Sequence, residues 1–391
     1  MRLIFHRLIS IILAALIICF QPARAEIGLS DNEIVIGTLG LCSGPSGFYG
    51  REMNLGVDAL VSAVNANGGI YGRNLRVIHE DDQYDVDKAI ACFNDLMTKG
   101  VFAITAQVGS PTLAKYIPMC TTNKVPIIGG FSGPYFACEP VKRYFFNARP
   151  SYRDEEHAAV DHLWKLGIRK IGVIYQNDAY GSDCLVGVKE ALEKRKADVV
   201  ATGSYERNKN NVVEAVGTVM KAEPEAVIIA AVYKPTADIL KQAHQQNWHP
   251  IFVMGTGSCI DAMMPLAAGT ADGFPVSEDV PLFTDTDVKV VADFQRDLHT
   301  YFPKEKPTFT GFKGYVDALL LVEGLKRAGK NPTREKLVDA IESIKNFELG
   351  RGLKLSFSAS DHWGMHNVVW VTADKGQFVP FTDWSALKAK H

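Results

Sequence analysis

Two short segments of this chain carry residues whose types and spacing suit the binding of an anion. Gln107 to Pro111 follows an apolar run and precedes a segment that Pro111 would start well as a helix, and Gly129 to Ser132 follows the next apolar run. Backbone N–H groups at a helix start and the hydroxyl groups of Ser110 and Ser132 can donate hydrogen bonds to a carboxylate. We expect these segments to bind a carboxylate; the alternative is ordinary turn chemistry.

A tyrosine followed by a glycine occurs at matching places in the two halves of the chain. IVIGTLGLCSGPSGFYG contains Tyr49-Gly50 and KIGVIYQNDAYG contains Tyr180-Gly181, each in the first strand-to-helix loop of its half. If the halves are pseudo-symmetric and face each other by the carboxyl edges of their sheets, the two tyrosines meet across one cleft. The alternative interpretation is a packing aromatic beside a turn glycine.

Sequence motifs of the common enzyme classes do not occur in this sequence. Glycines 37, 40 and 44 follow a strand with the spacing GxxGxxxG, which differs from the dinucleotide-binding GxGxxG, and there is no GxxxxGK[ST]. GGFSGP lacks the second glycine of the hydrolase motif GxSxG, and HExxH is absent. We therefore expect a protein that binds a molecule without chemical turnover, and we expect no cofactor and no metal.

The elements that would position these residues alternate between strand and helix along almost the whole chain. Runs such as VFAITA and AVIIAAV are apolar on both faces, as central strands of a helix-covered parallel sheet must be. The pattern predicts a doubly wound α/β fold that occurs twice. LKLSFS and HNVVWVTADKGQFVPFT are predicted to complete the second half as strands, with Asp374-Lys375-Gly376 as a hairpin turn. Strands are predicted at 34–40, 74–80, 101–106, 125–130 and 143–147, and near 169–175, 199–205, 225–231 and 250–255.

Three motifs in the first half resemble one family of transport proteins. SGPxxxYG occupies residues 43–50, NxxGGI occupies residues 65–70, and an acidic pair follows at Asp81-Asp82. In these motifs the chain resembles the substrate-binding proteins of bacterial branched-chain amino acid ABC importers. The resemblance extends through the mature chain and is strongest in the first half.

The resemblance implies a type I periplasmic binding fold. That fold has two doubly wound parallel-sheet lobes joined by a three-stranded hinge. By the resemblance, lobe 1 comprises residues 26–148 and 277–352, and lobe 2 comprises residues 149–276 and 353–391.

The resemblance also implies a role in transport. A monomer would close its two lobes on a small solute that bears a carboxylate, such as an amino acid, an amide or another acid, and would deliver it to a membrane permease and its ATPase. A sensory module of the same fold that signals to a membrane receptor is the alternative function. The expected ligand-binding residues are Tyr49, Gln107, Gly109, Ser110, Gly130, Phe131, Ser132, Tyr152, Tyr180, Tyr233 and Thr256.

The sequence departs from the resembling family at one position. The leucine/isoleucine/valine-binding proteins have an acidic residue after the strand that matches PIFVMG, where it pairs with the ammonium group of the ligand, whereas this chain has Gly257 in the segment GTGSC. A buried ammonium without a carboxylate partner costs several kcal/mol. We therefore expect an aromatic or aliphatic carboxylate, or an amide, unless Glu278, Asp183 or Asp154 replaces the missing acid.

The amino terminus indicates an exported protein, and the overall charge argues against nucleic acid as a partner. MRLIFHR is basic, LISIILAALIICF is apolar, and Ala23-Arg24-Ala25 supplies a cleavage pattern, so residues 1–25 are predicted to be a signal peptide of a periplasmic protein. The apolar run is shorter than the ~20 residues that a membrane anchor needs. Ile18 before Cys19 disfavours a lipoprotein. A net charge of -2 offers no basic face for nucleic acid.

Six cysteines remain after the predicted signal peptide, and none of them forms a CxxC pair. Cys42 with Cys138, and Cys184 with Cys259, each follow strands of the same half, so both pairs could form disulfides in an oxidising compartment. Six free thiols are the alternative.

Overall fold

The computed structural model of the protein describes residues 26–255 and 260–388. The predicted signal peptide, residues 1–25, and the predicted ligand residue Thr256 lie outside the described residues. The described chain forms one parallel sheet and one mainly parallel sheet, each covered by helices, which confirms the predicted α/β architecture with two lobes. The strands of the first sheet lie within residues 33–146, and those of the second sheet lie within residues 171–380.

The first sheet has five strands in the order β2-β1-β3-β4-β5, and all neighbours are parallel. Its central strand β3 is buried at every residue, because the run AITAQ lies between helices on both faces of the sheet. The five predicted strands of the first half are confirmed, and each predicted strand end lies within two residues of the observed end. The strands are β1 (Glu33–Gly40), β2 (Asn74–Asp81), β3 (Ala103–Gln107), β4 (Ile127–Gly130) and β5 (Phe145–Phe146).

The second sheet has seven strands in the order β14-β13-β10-β9-β8-β6-β7. Strands β6 to β10 pair in parallel, and β13 and β14 add an antiparallel hairpin at one edge. The predicted hairpin turn is confirmed, because Lys375 and Gly376 both have positive φ, 49° and 79°, as a two-residue turn of this kind requires. The strands are β6 (Ile171–Gln176), β7 (Ala201–Tyr205), β8 (Ala226–Ala230), β9 (Ile251–Met254), β10 (Val276–Glu278), β13 (Val369–Asp374) and β14 (Gln377–Pro380).

The two remaining strands, β11 (Phe347–Gly350) and β12 (Leu353–Leu355), pair only with each other among the described strands. The expectation that LKLSFS would complete the second half is therefore wrong. Further along the chain, Trp363 forms an isolated parallel β-bridge with Asn147, and its side chain lies in the hydrophobic core of the first sheet. The expected lobe boundaries stay predictions.

The helices cover both faces of the sheets and begin near the carboxyl ends of the strands. Two helices approach each other closely at Gly56 and Gly311. A Cβ atom added to Gly56 would lie 1.9 Å from the carbonyl oxygen of Gly311, so only glycine allows this approach. The helices are α1 (Phe48–Ala66), α2 (Val86–Thr98), α3 (Ser110–Asn123), α4 (Tyr152–Lys165), α5 (Ala179–Glu193), α6 (Val213–Met220), α7 (Tyr233–Gln245), α8 (Ile260–Met263), α9 (Lys289–Tyr301), α10 (Phe309–Ala328), α11 (Arg334–Glu342) and α12 (Ser385–Lys388).

Three of the cysteines that were candidates for disulfides lie in the described part of the chain. Cys42, Cys138 and Cys184 are free thiols, so a disulfide between Cys42 and Cys138 is wrong. Cys259 lies outside the described residues. Within residues 26–255 and 260–388, no helix is long and apolar enough to cross a membrane.

Candidate functional site

A cavity lies where the carboxyl edges of the two sheets face each other. The empty space within it, together with the open solvent at its mouth, is about 320 Å³. Its wall combines serine and tyrosine hydroxyl groups with aliphatic side chains. Each wall residue follows a strand of one sheet or begins the helix after it, as the topology of open parallel sheets predicts for a ligand site. The wall consists of Leu41, Tyr49, Tyr84, Val108, Gly109, Ser110, Phe131, Ser132, Tyr152, Tyr180 and Val232.

The structure brings most of the predicted ligand residues together around this cavity, and their role in binding stays a prediction. The seven predicted residues in the wall are Tyr49, Gly109, Ser110, Phe131, Ser132, Tyr152 and Tyr180. Gln107 instead turns its Nε2 to the carbonyl of Gly109, at 2.9 Å, and Gly130 is its partner in the β3–β4 register. Tyr233 lies behind the wall, with its ring centroid 5.5 Å from that of Tyr49.

The start of α3 offers hydrogen-bond donors to the cavity. The backbone N–H of Gly109 donates to Ser132 Oγ at 2.7 Å, so the hydroxyl proton of Ser132 remains available for another acceptor. Ser110 Oγ lies 3.0 Å from Tyr152 Oη across the cleft. The first amide groups of α3 have no acceptor within the helix, and the helix dipole makes this end partly positive. An anion at this place would receive several hydrogen bonds at once.

Aromatic side chains from both lobes meet over the cavity. Tyr233 Oη donates to the carbonyl oxygen of Pro45 at 3.0 Å, and the Tyr233 backbone N–H donates to Tyr49 Oη at 3.3 Å. The ring of Tyr49 also contacts that of Phe131, with centroids 5.0 Å apart. These contacts join helix α7, which follows a strand of the second sheet, to the loop after β1 and to α1 of the first sheet.

Comparison with known proteins establishes the family. A model of the family described as periplasmic binding protein matches residues 33–377, which is most of the chain. The chain belongs to this family. This periplasmic binding protein is 24% identical over 376 residues to the Leu/Ile/Val-binding protein homolog 7 of Brucella melitensis, covering 90% of this chain and 86% of that protein.

Solved structures of periplasmic binding proteins share the same fold. The structure of a possible leucine/isoleucine/valine-binding protein from Rhodopirellula baltica superposes with a TM-score of 0.86 at 26% identity, covering 91% of this chain and 98% of that one. A fatty acid ABC transporter substrate-binding protein from Thermomonospora curvata has a TM-score of 0.83 at 21% identity, covering 94% and 96%. The fold is therefore the one that the sequence resemblance implied.

Four wall residues of this periplasmic binding protein were not among the predicted ligand-binding residues: Leu41, Tyr84, Val108 and Val232. One of them, Val108, lies in the predicted segment 107–111. Leu41 and Val108 come directly after β1 and β3, and Val232 comes two residues after β8. The rule that ligands bind at the carboxyl ends of strands could have found these three. Tyr84 comes three residues after β2, in a turn whose course the sequence does not reveal.

The ionisable groups of the described wall are tyrosines, and burial raises the pKa values of three of them. Desolvation raises the pKa of Tyr152 to about 12 and holds the pKa values of Tyr84 and Tyr180 well above 10. At neutral pH these side chains are neutral hydroxyl groups that can donate hydrogen bonds. The described wall thus offers donors and apolar surface.

The three acids that could replace the missing carboxylate partner of a ligand ammonium group make contacts with other protein groups. Glu278 Oε2 lies 2.7 Å from Lys313 Nζ, and Asp183 Oδ2 accepts from the backbone N–H of Tyr135 at 2.7 Å. Asp154 Oδ2 accepts from the backbone N–H of Ser151 at 3.0 Å and contacts His366 Nδ1 at 3.2 Å. None of the three acids is in the described wall of the cavity. The structure therefore does not bring any of them to the predicted ligand.

Proposed function

We propose that this periplasmic binding protein is the solute-binding component of an ABC importer of the Leu/Ile/Val-binding type. It closes two lobes on a small carboxylate-bearing solute and delivers that solute to a membrane permease. The observation that supports this proposal is the cavity itself, which lies between the carboxyl edges of two sheets and places the start of α3 and two serine hydroxyls at one end.

The proposed position of the carboxylate is beside Gly109, Ser110 and Ser132. Ser132 keeps its hydroxyl proton for the ligand because its oxygen already accepts from Gly109. Hydrogen bonds to a charged acceptor contribute roughly 1.5–3 kcal/mol each, so two or three of them would fix the orientation of the solute. The apolar body would then lie against Leu41, Phe131 and the tyrosine rings.

We further propose that the solute is an aromatic or aliphatic carboxylate without an α-ammonium group. The described wall carries hydroxyl groups and no carboxylate, and residues 256–259, where the family resemblance expects the ammonium partner, are Thr, Gly, Ser and Cys. Periplasmic binding proteins similar to this chain are named for both kinds of solute, Leu/Ile/Val in one case and fatty acid in another. An unpaired buried ammonium would cost several kcal/mol, which disfavours amino acids.

A thermal-shift screen with matched pairs tests this proposal. The pairs are L-leucine with 4-methylpentanoate, L-valine with 3-methylbutanoate and L-phenylalanine with 3-phenylpropanoate, so each pair differs only in the ammonium group. A solute at about 100 times its dissociation constant stabilises the protein by roughly 2.7 kcal/mol, which raises the melting temperature measurably. We expect the deaminated member of a pair to give the larger shift. A larger shift with leucine or valine would contradict the argument from the missing acid.

The transport role has its own test. Residues 1–25 should direct export to the periplasm, and a cell that lacks this protein should lose uptake of the solute that the screen identifies. Uptake of the radiolabelled solute should return when the full chain is supplied from a plasmid. Unchanged uptake, together with altered transcription on addition of the solute, would instead favour a sensory role.

A further inference from the structure

The turn after β2 has an unusual backbone conformation at two consecutive residues. Gln83 and Tyr84 have φ values of 54° and 60°, a region that residues other than glycine rarely adopt. The acidic pair before them holds this conformation: Asp81 Oδ1 accepts from the N–H of Gln83 at 3.0 Å, and Asp82 Oδ1 accepts from the N–H of Tyr84 at 2.8 Å. Such strain is characteristic of residues that a fold places for a function.

The turn directs Tyr84 across the cleft to the second lobe. Gln176 Nε2, at the end of β6, donates to Tyr84 Oη at 3.1 Å, and the Arg207 guanidinium lies 5.2 Å from the centre of the Tyr84 ring. The side chain of Tyr84 is 5% exposed and forms part of the cavity wall. It also lies beside the start of α3, because a Cβ atom added to Gly109 would come within 3.2 Å of the Tyr84 ring.

A chain of hydrogen bonds fixes the direction in which the Tyr84 hydroxyl donates. The N–H of Val232 donates to Tyr205 Oη at 3.1 Å, so Tyr205 donates its own proton to Gln176 Oε1, also at 3.1 Å. The amide of Gln176 is thereby oriented with its nitrogen toward Tyr84, and a second N–H bonds to Asp178 at 2.7 Å. The Tyr84 oxygen accepts the hydrogen bond from Gln176, so the Tyr84 O–H group can donate to another acceptor.

Within residues 26–255 and 260–388, no group accepts the hydroxyl proton of Tyr84. Because the side chain lines the cavity beside Gly109, an acceptor oxygen of a bound solute is the natural partner. The same end of the cavity holds Ser110 and Ser132, so one carboxylate could accept from all of these donors.

We infer that Tyr84 is a ligand-binding residue whose hydroxyl donates to the acceptor oxygen of the solute, and that closure of the second lobe positions it through Gln176. This inference rests on the proposed function, because it requires a solute with an oxygen acceptor at the start of α3. It also gives the Asp81-Asp82 pair a role, which is to hold the turn that presents Tyr84.

The test compares two tyrosine-to-phenylalanine variants that each remove a buried hydroxyl group. Tyr84→Phe keeps the ring and leaves Gln176 bonded to Asp178 and Tyr205. Tyr315→Phe is the matched control, because the Tyr315 hydroxyl donates to Asp297 Oδ2 at 2.7 Å and Tyr315 is not part of the cavity wall. The probe is whichever of the six solutes in the matched pairs stabilises the wild-type protein most. Calorimetry gives the affinity, stopped-flow fluorescence gives the dissociation rate, and the melting temperature without solute reports on structure.

We expect Tyr84→Phe to weaken binding about 10- to 100-fold and to speed dissociation, because a donor to a charged acceptor is lost. Tyr315→Phe should lower the melting temperature and change the affinity by less than about threefold. If Tyr84→Phe binds within about twofold of wild type, or if both variants weaken binding equally, the donor role of Tyr84 is wrong while the proposed function stands. If none of the six solutes binds the wild-type protein, the proposed solute class fails and this inference with it.

Discussion

Tyr233 and Pro45 join the two lobes directly. The Tyr233 hydroxyl, on the first residue of α7, donates at 3.0 Å to the carbonyl of Pro45 in the loop after β1. Pro45 belongs to the SGPxxxYG motif, and Tyr233 begins a helix of the other sheet, so we expect this hydrogen bond to form only when the lobes are closed. Closure around a solute is the established motion of two-domain binding proteins with hinges.

We predict that Tyr233→Phe shifts the protein toward an open arrangement. A neutral hydrogen bond contributes about 0.5–1.5 kcal/mol, so the affinity for the solute should fall about two- to tenfold. Small-angle scattering should show a monomer that becomes more compact on binding, with less compaction in the variant. Tyr301→Phe, at the end of α9, is the control. An unchanged radius of gyration in wild-type protein that calorimetry shows to be saturated would contradict hinge closure.

We predict that Ser132→Ala weakens solute binding about tenfold or more, because it removes a donor to the carboxylate. Ser132 also accepts from Gly109 at 2.7 Å, so the variant leaves that buried amide without its partner and should lower the melting temperature as well. Ser110→Ala should weaken binding to a similar degree. Ser204→Ala, at an exposed position of β7, is the control. If calorimetry finds unaltered affinity in both variants, these two loops do not form the site.

A buried ion pair next to the cavity should be essential for stability. Arg149 and Glu155 are 2% and 1% exposed and form a salt bridge, and Ser277 Oγ donates to Glu155 Oε1 at 2.8 Å. Glu155→Gln leaves the arginine without this carboxylate, and breaking a buried pair typically costs about 3–5 kcal/mol. Urea denaturation should show that loss. Lys354→Gln breaks an exposed pair and should cost less than about 1 kcal/mol; equal effects would contradict the prediction.

The protein should lose some stability in mildly alkaline solution through His366. Hydrogen bonding to Asp154 raises the pKa of this histidine from 6.5 to about 9. A raised pKa in the folded state means that the stabilisation is complete below 6.5 and is lost as the pH rises through about 9. Because the His366 side chain is 54% exposed, we expect only about 0.2–1 kcal/mol.

The check for His366 is urea denaturation of wild-type protein and His366→Gln at about pH 6 and about pH 10. The variant should be less stable at the lower pH and equal to wild type at the higher pH. His299→Gln, at an exposed position of α9, should match wild type at both values. A difference between wild type and His366→Gln that does not change with pH would mean that packing, and not the charge, is responsible.

The order of the elements could be predicted from the sequence because it follows from local patterns. Apolar runs such as AITAQ identified the central strands, and Pro111 identified the start of α3. The turn at Lys375 and Gly376 was predicted because few residues adopt its backbone conformation. Since the carboxyl ends of parallel strands share one edge, most of the cavity wall could be predicted as well.

Only the tertiary structure decided which side chains at that edge face the cavity. Gln107 and Gly130 end neighbouring strands, yet Gln107 turns to the carbonyl of Gly109, and the wall is built by residues that follow them. The place of Tyr84 depends on a left-handed turn held by Asp81 and Asp82, and on Gln176, which is 92 residues away in the sequence. Residue type and spacing determine which backbone segments form, whereas the direction of a side chain in a loop depends on hydrogen bonds with partners that only the folded chain brings within reach.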